Sequence, residues 1–156
     1  MPKIEIELMI DAPIERVFDL SRSIDLHMFS TSQTGERAVA GRTYGLIGLG
    51  EEVTWRARHL GIWQNLTAQI TIYDRPRHFR DSMVKGAFKR FDHDHFFAET
   101  SAGTNVRDAF TFEAPFGVLG LAANRLFLTK YMRGFLTARN RIVKRVAESE
   151  KWREFL

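Results

Sequence analysis

Between Lys3 and Ile10 the apolar residues Ile4, Ile6, Leu8 and Ile10 alternate with Lys3, Glu5 and Glu7. That period of two lays one face of a strand against a core. Asp11-Ala12-Pro13 ends it, since proline fixes φ, lacks an N–H and is favoured at the first position of a helix. Ile14, Val17 and Phe18 recur at helical spacing with Glu15 near the positive end, which predicts a short helix from about Pro13 to Ser21. A second short helix is expected from Ser23 to about Phe29, followed by the polar run Ser30 to Gly35, which has turn chemistry. From Glu36 to Glu113 the pattern is dominated by strands. They are expected around Arg37 to Ala40, then as a glycine-rich strand or bend over Thr43 to Leu49, then over Glu51–Leu60, Trp63–Tyr73, Phe79–Lys85, Phe88–Glu99 and Thr104–Glu113. Gly61, Asp74-Arg75-Pro76, Gly86 and Ser101-Ala102-Gly103 separate them at hairpin-like spacing, so an antiparallel meander is the economical topology.

Ala114-Pro115-Phe116-Gly117 closes the last strand, and beyond Val118 there is no proline. Leu128, Tyr131, Phe135, Ala138, Ile142 and Val146 then fall at helical spacing, an apolar stripe about five turns long. A sheet with one apolar face must be covered, and this helix is the one element long enough to do it. The predicted fold is therefore α+β: a helix-grip arrangement in which a curved antiparallel sheet of six to seven strands wraps a long C-terminal helix, with two short helices after strand one. At 156 residues the chain fits one domain spanning residues 1–156.

Composition changes this picture little. No cysteine is present, so disulfides and thiol chemistry are out of reach. The N-terminus alternates charged and apolar residues, which does not read as a signal peptide, and no apolar run approaches the ~20 residues a membrane span needs. A cytoplasmic location is expected, without stable membrane insertion. The net charge of +4 would suit an acidic partner, but much of it lies at Arg125, Lys130, Arg133, Arg139, Arg141, Lys144 and Arg145. In a helix these read as a solvated face. The basic-aromatic alternation Phe88-Lys89-Arg90-Phe91 is what any strand exposing alternate residues shows, so nucleic acid is not an expected partner.

The chain resembles the START-like (SRPBCC, helix-grip) superfamily, and within it the bacterial ligand-binding branch similar to polyketide cyclase/dehydrase proteins. The segments carrying the resemblance are Ile10 to Phe18, Asp74-Arg75-Pro76-Arg77-His78-Phe79, Phe91 to Phe97, Gly103 to Asp108 and Pro115 to Gly120. It implies a cavity between sheet and helix for an apolar small molecule. It does not settle function, because members include carriers, cyclases and accessory proteins.

Taking Ile70 and Ile72 as inward, strand phase predicts the other inward residues. These are Val53, Trp55 and Ala57; Leu66 and Ala68; Phe79, Asp81 and Met83; Phe91, His93, His95 and Phe97; and Val106, Asp108, Phe110 and Phe112. The expected ligand-binding residues are Trp55, Ile70, Phe79, Asp81, Met83, Phe91, His93, His95, Phe97, Asp108, Phe110, Leu128, Tyr131 and Phe135. Asp81, His93, His95 and Asp108, with Glu51 as a further candidate, are polar on an apolar face and must meet each other, water or a ligand. They fit a structural network or ligand positioning first; Asp81, His93, His95 and Asp108 are the catalytic candidates if an Asp–His pair performs cyclisation or dehydration. His93-Asp94-His95 puts two imidazoles on one strand face and could take a metal with Asp81 or Asp108. Same-face histidines are common without one, so no metal is expected. No nucleotide loop or nucleophile elbow is present, and no cofactor is expected. A further alternative is an accessory protein that meets a partner through the last helix, on its basic face and the cluster Val118, Leu119, Leu121, Leu126 and Phe127. That cluster also reads as a plug for the mouth of the cavity, with Ser30 to Gly35 as a lid opposite.

Overall fold

The computed structural model describes residues 1–114 and 121–156, leaving aside the side chains of residues 121–125. Its elements are β1 (Lys3–Ile10), α1 (Ile14–Ser21), α2 (Ile24–Ser30), β2 (Arg37–Gly41), β3 (Glu52–His59), β4 (Ile62–Asp74), β5 (His78–Lys85), β6 (Arg90–Thr100), β7 (Gly103–Glu113) and α3 (Leu121–Ala147). The strands form one antiparallel sheet in the order β1-β7-β6-β5-β4-β3-β2. This is the helix-grip α+β fold: a meander from β2 to β7 onto which β1 adds from the far end of the sequence, with Ile4 opposite Phe110 and Ile10 opposite Thr104.

Local chemistry sets the element ends. Pro13 caps α1 in extended conformation, and the Ser23 hydroxyl caps α2 by accepting from the Leu26 N–H at 3.2 Å. Gly103, at φ +126°, turns β6 into β7 against the end of β1, where a Cβ would collide with the Ile10 carbonyl oxygen. Next to it the buried Thr104 hydroxyl donates to the Ala12 carbonyl at 2.8 Å. The Arg16 guanidinium donates to the Ala147 carbonyl at 3.3 Å, at the end of α3, and Ser149 starts a separate 3-10 turn over Glu150–Glu154.

Of the two forms expected for Thr43 to Leu49, strand or bend, the chain takes the bend, whose one strand-like pairing among the described residues is the bridge of Leu46 to Ser23. It is held by the Asp25 carboxylate on the Gly45 N–H and the Glu51 carboxylate on the Gly48 N–H, both at 2.8 Å, so Glu51 pairs there and with Arg42 instead of facing inward. On β4 a bulge at Thr71 leaves Ile70 opposite Asp81 but Ile72 opposite Arg80, which reverses the phase. Ile72 therefore leaves the inner face, and Tyr73, opposite Phe79, takes its place. On α3 the buried face is rotated from the expected stripe: Leu136, Arg139, Asn140, Val143, Val146 and Ala147 are buried, while Ala138 and Ile142 are only half-buried. Arg139, expected in solvent, is 5% exposed.

Phe18 of α1, with no exposed surface, meets the rings of Tyr73, Phe79 and Phe97 edge-on at 5.3–5.5 Å. A second cluster holds Ile4, Ala68, Phe91, Phe110, Phe112 and Leu136. Basic residues of α3 tie it to the sheet edge: Lys144 donates to the Met9 carbonyl at 2.7 Å and Arg133 to the Glu5 carbonyl at 3.1 Å. Among the described residues no helix is long and apolar enough to cross a membrane. Replacing Phe18 by alanine should cost about 3–5 kcal/mol in urea denaturation. Phe127→Ala, at a residue 56% exposed, should change stability by about 0.5 kcal/mol or less in the same assay.

Candidate functional site

The curved sheet does not close fully on α3. Between them lies a cavity of about 970 Å³, at the upper end of the roughly 300–1,000 Å³ usual for small-molecule sites. Ile70, Phe79, Phe91 and Phe110 line it from the sheet, Trp55 from β3, and Leu128, Tyr131, Phe135 and Leu136 from α3. Leu60, Ile62 and Phe127 border the cavity and are also more than half exposed, so they stand at its rim. Leu126 is exposed as well. Val118, Leu119 and the side chain of Leu121 lie outside the described residues.

Three residues expected in the lining do not border the cavity. Met83 is half-buried and packs into the cluster around Ala68, beside a bulge of β5 at Val84. Phe97 is covered by Phe18 and Phe79. Asp108 lies behind the two histidines, only 1% exposed. The run Ser30 to Gly35 does not reach the cavity either: Ser30 and Thr31 are buried, with both hydroxyls donating to the His27 carbonyl.

The polar quartet does assemble, because adjacent strands bring it into register. Asp81 lies opposite His93 across β5 and β6, and His95 opposite Asp108 across β6 and β7. Asp94, between the histidines, points to the other face and pairs with Arg80 and His78. His95 Nδ1 is 2.9 Å from Asp108 Oδ1 and its Nε2 is 3.0 Å from Asp81 Oδ2. Each ring nitrogen thus faces a carboxylate, and only an imidazolium can donate to both. Burial works against charge on His95, but the Asp108 and Asp81 carboxylates outweigh it and raise its pKa. Burial likewise pushes the Asp108 carboxyl up, yet the charge and hydrogen bond of His95 leave it well below the usual carboxylate range. The Asp81 carboxyl is lowered in the same way, with burial opposing and the His95 hydrogen bond prevailing.

His93 differs. Its ring centre is 3.9 Å from that of His95, and it is only 7% exposed. Its Nδ1 stands 3.9 Å from Asp81 Oδ2 and its Nε2 3.8 Å from Asp108 Oδ2, both beyond hydrogen-bond reach. Burial, and then the positive His95, lower its pKa, so it stays neutral beside its charged neighbour.

Two residues that patterning concealed complete the network. Asn140 of α3 donates to Asp108 Oδ2 at 2.7 Å. Arg139 donates to Asn140 Oδ1 at 3.2 Å and to the Ser21 carbonyl at 3.1 Å, and it borders the cavity. A hydrophobic stripe cannot reveal polar residues that point inward. A second polar group, also unforeseen, lines another part of the wall. The His27 ring stacks on Trp55 at 4.1 Å, its Nε2 lies 3.4 Å from the buried Glu36 carboxylate, and His59 Nδ1 is 2.7 Å from the Tyr131 hydroxyl.

Because Asp108 titrates below its ordinary value, the stability it contributes is complete above about pH 4 and is lost as pH falls through the depressed value. Asp108→Asn, which leaves His95 short of a counter-charge, should cost about 3–5 kcal/mol near pH 7. Urea denaturation against pH should show the gap between the variant and the parent narrowing below about pH 4.

The family model described as polyketide cyclase / dehydrase and lipid transport matches residues 1–148. No curated protein matches the chain. Among solved structures, the protein TTHA0849 from Thermus thermophilus is similar with a TM-score of 0.75 at 20% identity, over 92% of this chain and 95% of that one. Major latex-like protein 151 from Panax ginseng is similar with a TM-score of 0.68 at 15% identity, over 95% and 98%. At such identities the structural likeness speaks for the fold, whereas the family match covers nearly the whole sequence. The chain belongs to the polyketide cyclase / dehydrase and lipid transport family.

Proposed function

We propose that the protein binds an apolar small molecule in the cavity between sheet and α3, with a polar group of the ligand turned toward Asp81 and His93. The observation that carries this reading is an aromatic-lined hollow of about 970 Å³ with a paired polar cluster on one wall. Trp55, Ile70, Phe79, Phe91, Phe110, Leu128, Tyr131 and Phe135 would form the walls. Such side chains give much contact area at little entropic cost.

Binding is favoured over cyclase or dehydratase catalysis by the state of His95. Both its nitrogens are engaged by carboxylates, so it has no free position from which to take a proton. Asp108, its orienting partner, lies behind it and off the cavity. The accessory role loses support because Lys144, one of the basic residues motivating it, is occupied by the Met9 carbonyl and Glu148.

Native mass spectrometry of gently purified protein should reveal a co-purified small molecule. An environment-sensitive apolar dye should bind with one site per chain. Ala68→Phe, which puts a ring into the space beside a lining residue, should weaken dye binding by at least about tenfold, since losing a well-packed apolar contact of ~1.4 kcal/mol is worth that factor. No bound molecule and no dye uptake would count against the reading.

A further inference from the structure

Of the quartet, three side chains converge in a way the ligand-binding reading does not require. One carboxylate oxygen of Asp81 and one ring nitrogen each of His93 and His95 all lie within 4.8 Å of one another. Asp81 and both histidines border the cavity. We propose that Asp81, His93 and His95 bind one divalent transition-metal ion of the zinc type, with a coordination position open to the cavity.

The donor set fits. Two imidazoles and one carboxylate suit a borderline ion, whereas calcium and magnesium prefer oxygen ligands. The distances are those of a site slightly open. Asp81 Oδ2 is 3.0 Å from His95 Nε2 and 3.9 Å from His93 Nδ1, against a ligand-to-ligand edge of about 3.3 Å for tetrahedral bonds of about 2.0–2.1 Å. Closing on an ion needs His93 to move roughly 0.6 Å toward Asp81, and at most about 1.5 Å toward His95. The ion takes the place of the proton that joins His95 to Asp81, and that proton leaves to solvent.

The surroundings have the form of a supporting shell. Ligating histidines usually give their second N–H to a carboxylate. Asp108 stands in that position for both: Oδ1 meets His95 Nδ1 at 2.9 Å, Oδ2 lies 3.8 Å from His93 Nε2, and Asn140 holds Oδ2 from α3. An independent sign is His93 itself. It is 93% buried, the complement of its 7% exposure, and its Nε2 is buried with no hydrogen-bond partner. Arg139 Nε is also buried without a partner, but of the two histidines at the centre of the network only His93 leaves a nitrogen unpaired, a cost that metal ligation through Nδ1, with Nε2–H turned to Asp108, would remove. Two carboxylates, Asp81 and Asp108, match the charge of a dication. The sequence offers the histidine pair without a defined third donor, and the β5–β6 register supplies it.

The test is to titrate Co²⁺ into tag-free, chelator-treated protein and follow visible absorption, then to displace it with Zn²⁺. One equivalent should bind with the absorption of a four- or five-coordinate site, and excess Mg²⁺ or Ca²⁺ should not displace it. Asp81→Ala and His93→Ala should each weaken binding by about 100-fold, and Asp108→Asn by about 10–100-fold. His78→Ala, in the nearby His–Asp pair on the opposite face, should leave affinity unchanged. His93→Gln, which fills the site without a ring nitrogen, provides a folded variant should alanine destabilise the chain, and it should lose affinity equally. Absence of saturable binding to the parent protein, or unchanged affinity in the His93→Gln variant, would overturn the proposal. The protein is first stripped of any co-purified small molecule by extraction on an apolar resin, checked by native mass spectrometry, because a ligand turned toward Asp81 and His93 would compete for the site.

Discussion

Asp108 and His95 face each other across β7 and β6 at 2.9 Å, with 1% and 2% of their surfaces exposed. Asp108 lies off the cavity and both ring nitrogens of His95 are taken by carboxylates; an isolated buried charge would be prohibitively unfavourable, so the charge on each depends on the pairing. Asp81 on one side and Asn140 on the other extend the pair across three strands to α3. Since each contact needs its strand in one register, a slip of β5, β6 or β7 by one residue would turn that strand's member of the network out of the interior. The pair thus ties the chemistry of the inner wall to the pairing of β5, β6 and β7. Asn140, by donating to Asp108, carries that tie from the wall to the gripped helix.

The cavity is the complement of this arrangement. Apolar contacts concentrate around Phe18 under α1 and around Phe110 and Phe112 near β1, and the hollow is bordered by members of both groups. A hollow this large forfeits packing that a solid core would have, so occupancy should raise stability by mass action, about 2.7 kcal/mol at a ligand concentration a hundred times Kd. The polar wall gives the ligand a fixed direction, because His95 is locked while Asp81 and His93 keep free capacity toward the cavity. A metal at those same residues would add one strongly directional contact to an otherwise apolar enclosure.

Strand phase is legible in the sequence because one face of each strand is apolar; alternation alone places Trp55, Phe79, Phe91, His95 and Phe110 inward. Where it fails, a physical event intervenes that leaves no mark in hydropathy. The bulge at Thr71 exchanges Ile72 for Tyr73, since one extra residue reverses a period of two. Phe97 and Met83 do face inward, but which inward residues meet the hollow depends on packing from α1 and β4, which a single strand cannot report. Arg139 and Asn140 are hidden for the opposite reason. A helix that buries polar side chains against a partner on a distant strand looks, from its own sequence, like a helix exposing them. The histidine pair and its two candidate carboxylates are legible; which carboxylate converges with both histidines, and the support from Asn140 and Arg139, are not, because those come from register and from α3.

Long-range proton–nitrogen NMR of the imidazole rings in the metal-free protein near pH 7 tests the central pairing most directly. His95 should show both ring nitrogens protonated and His93 one protonated and one bare. A neutral His95 with one bare nitrogen would contradict the account, because one of its two carboxylates would then face an acceptor and the network would have no reason to hold.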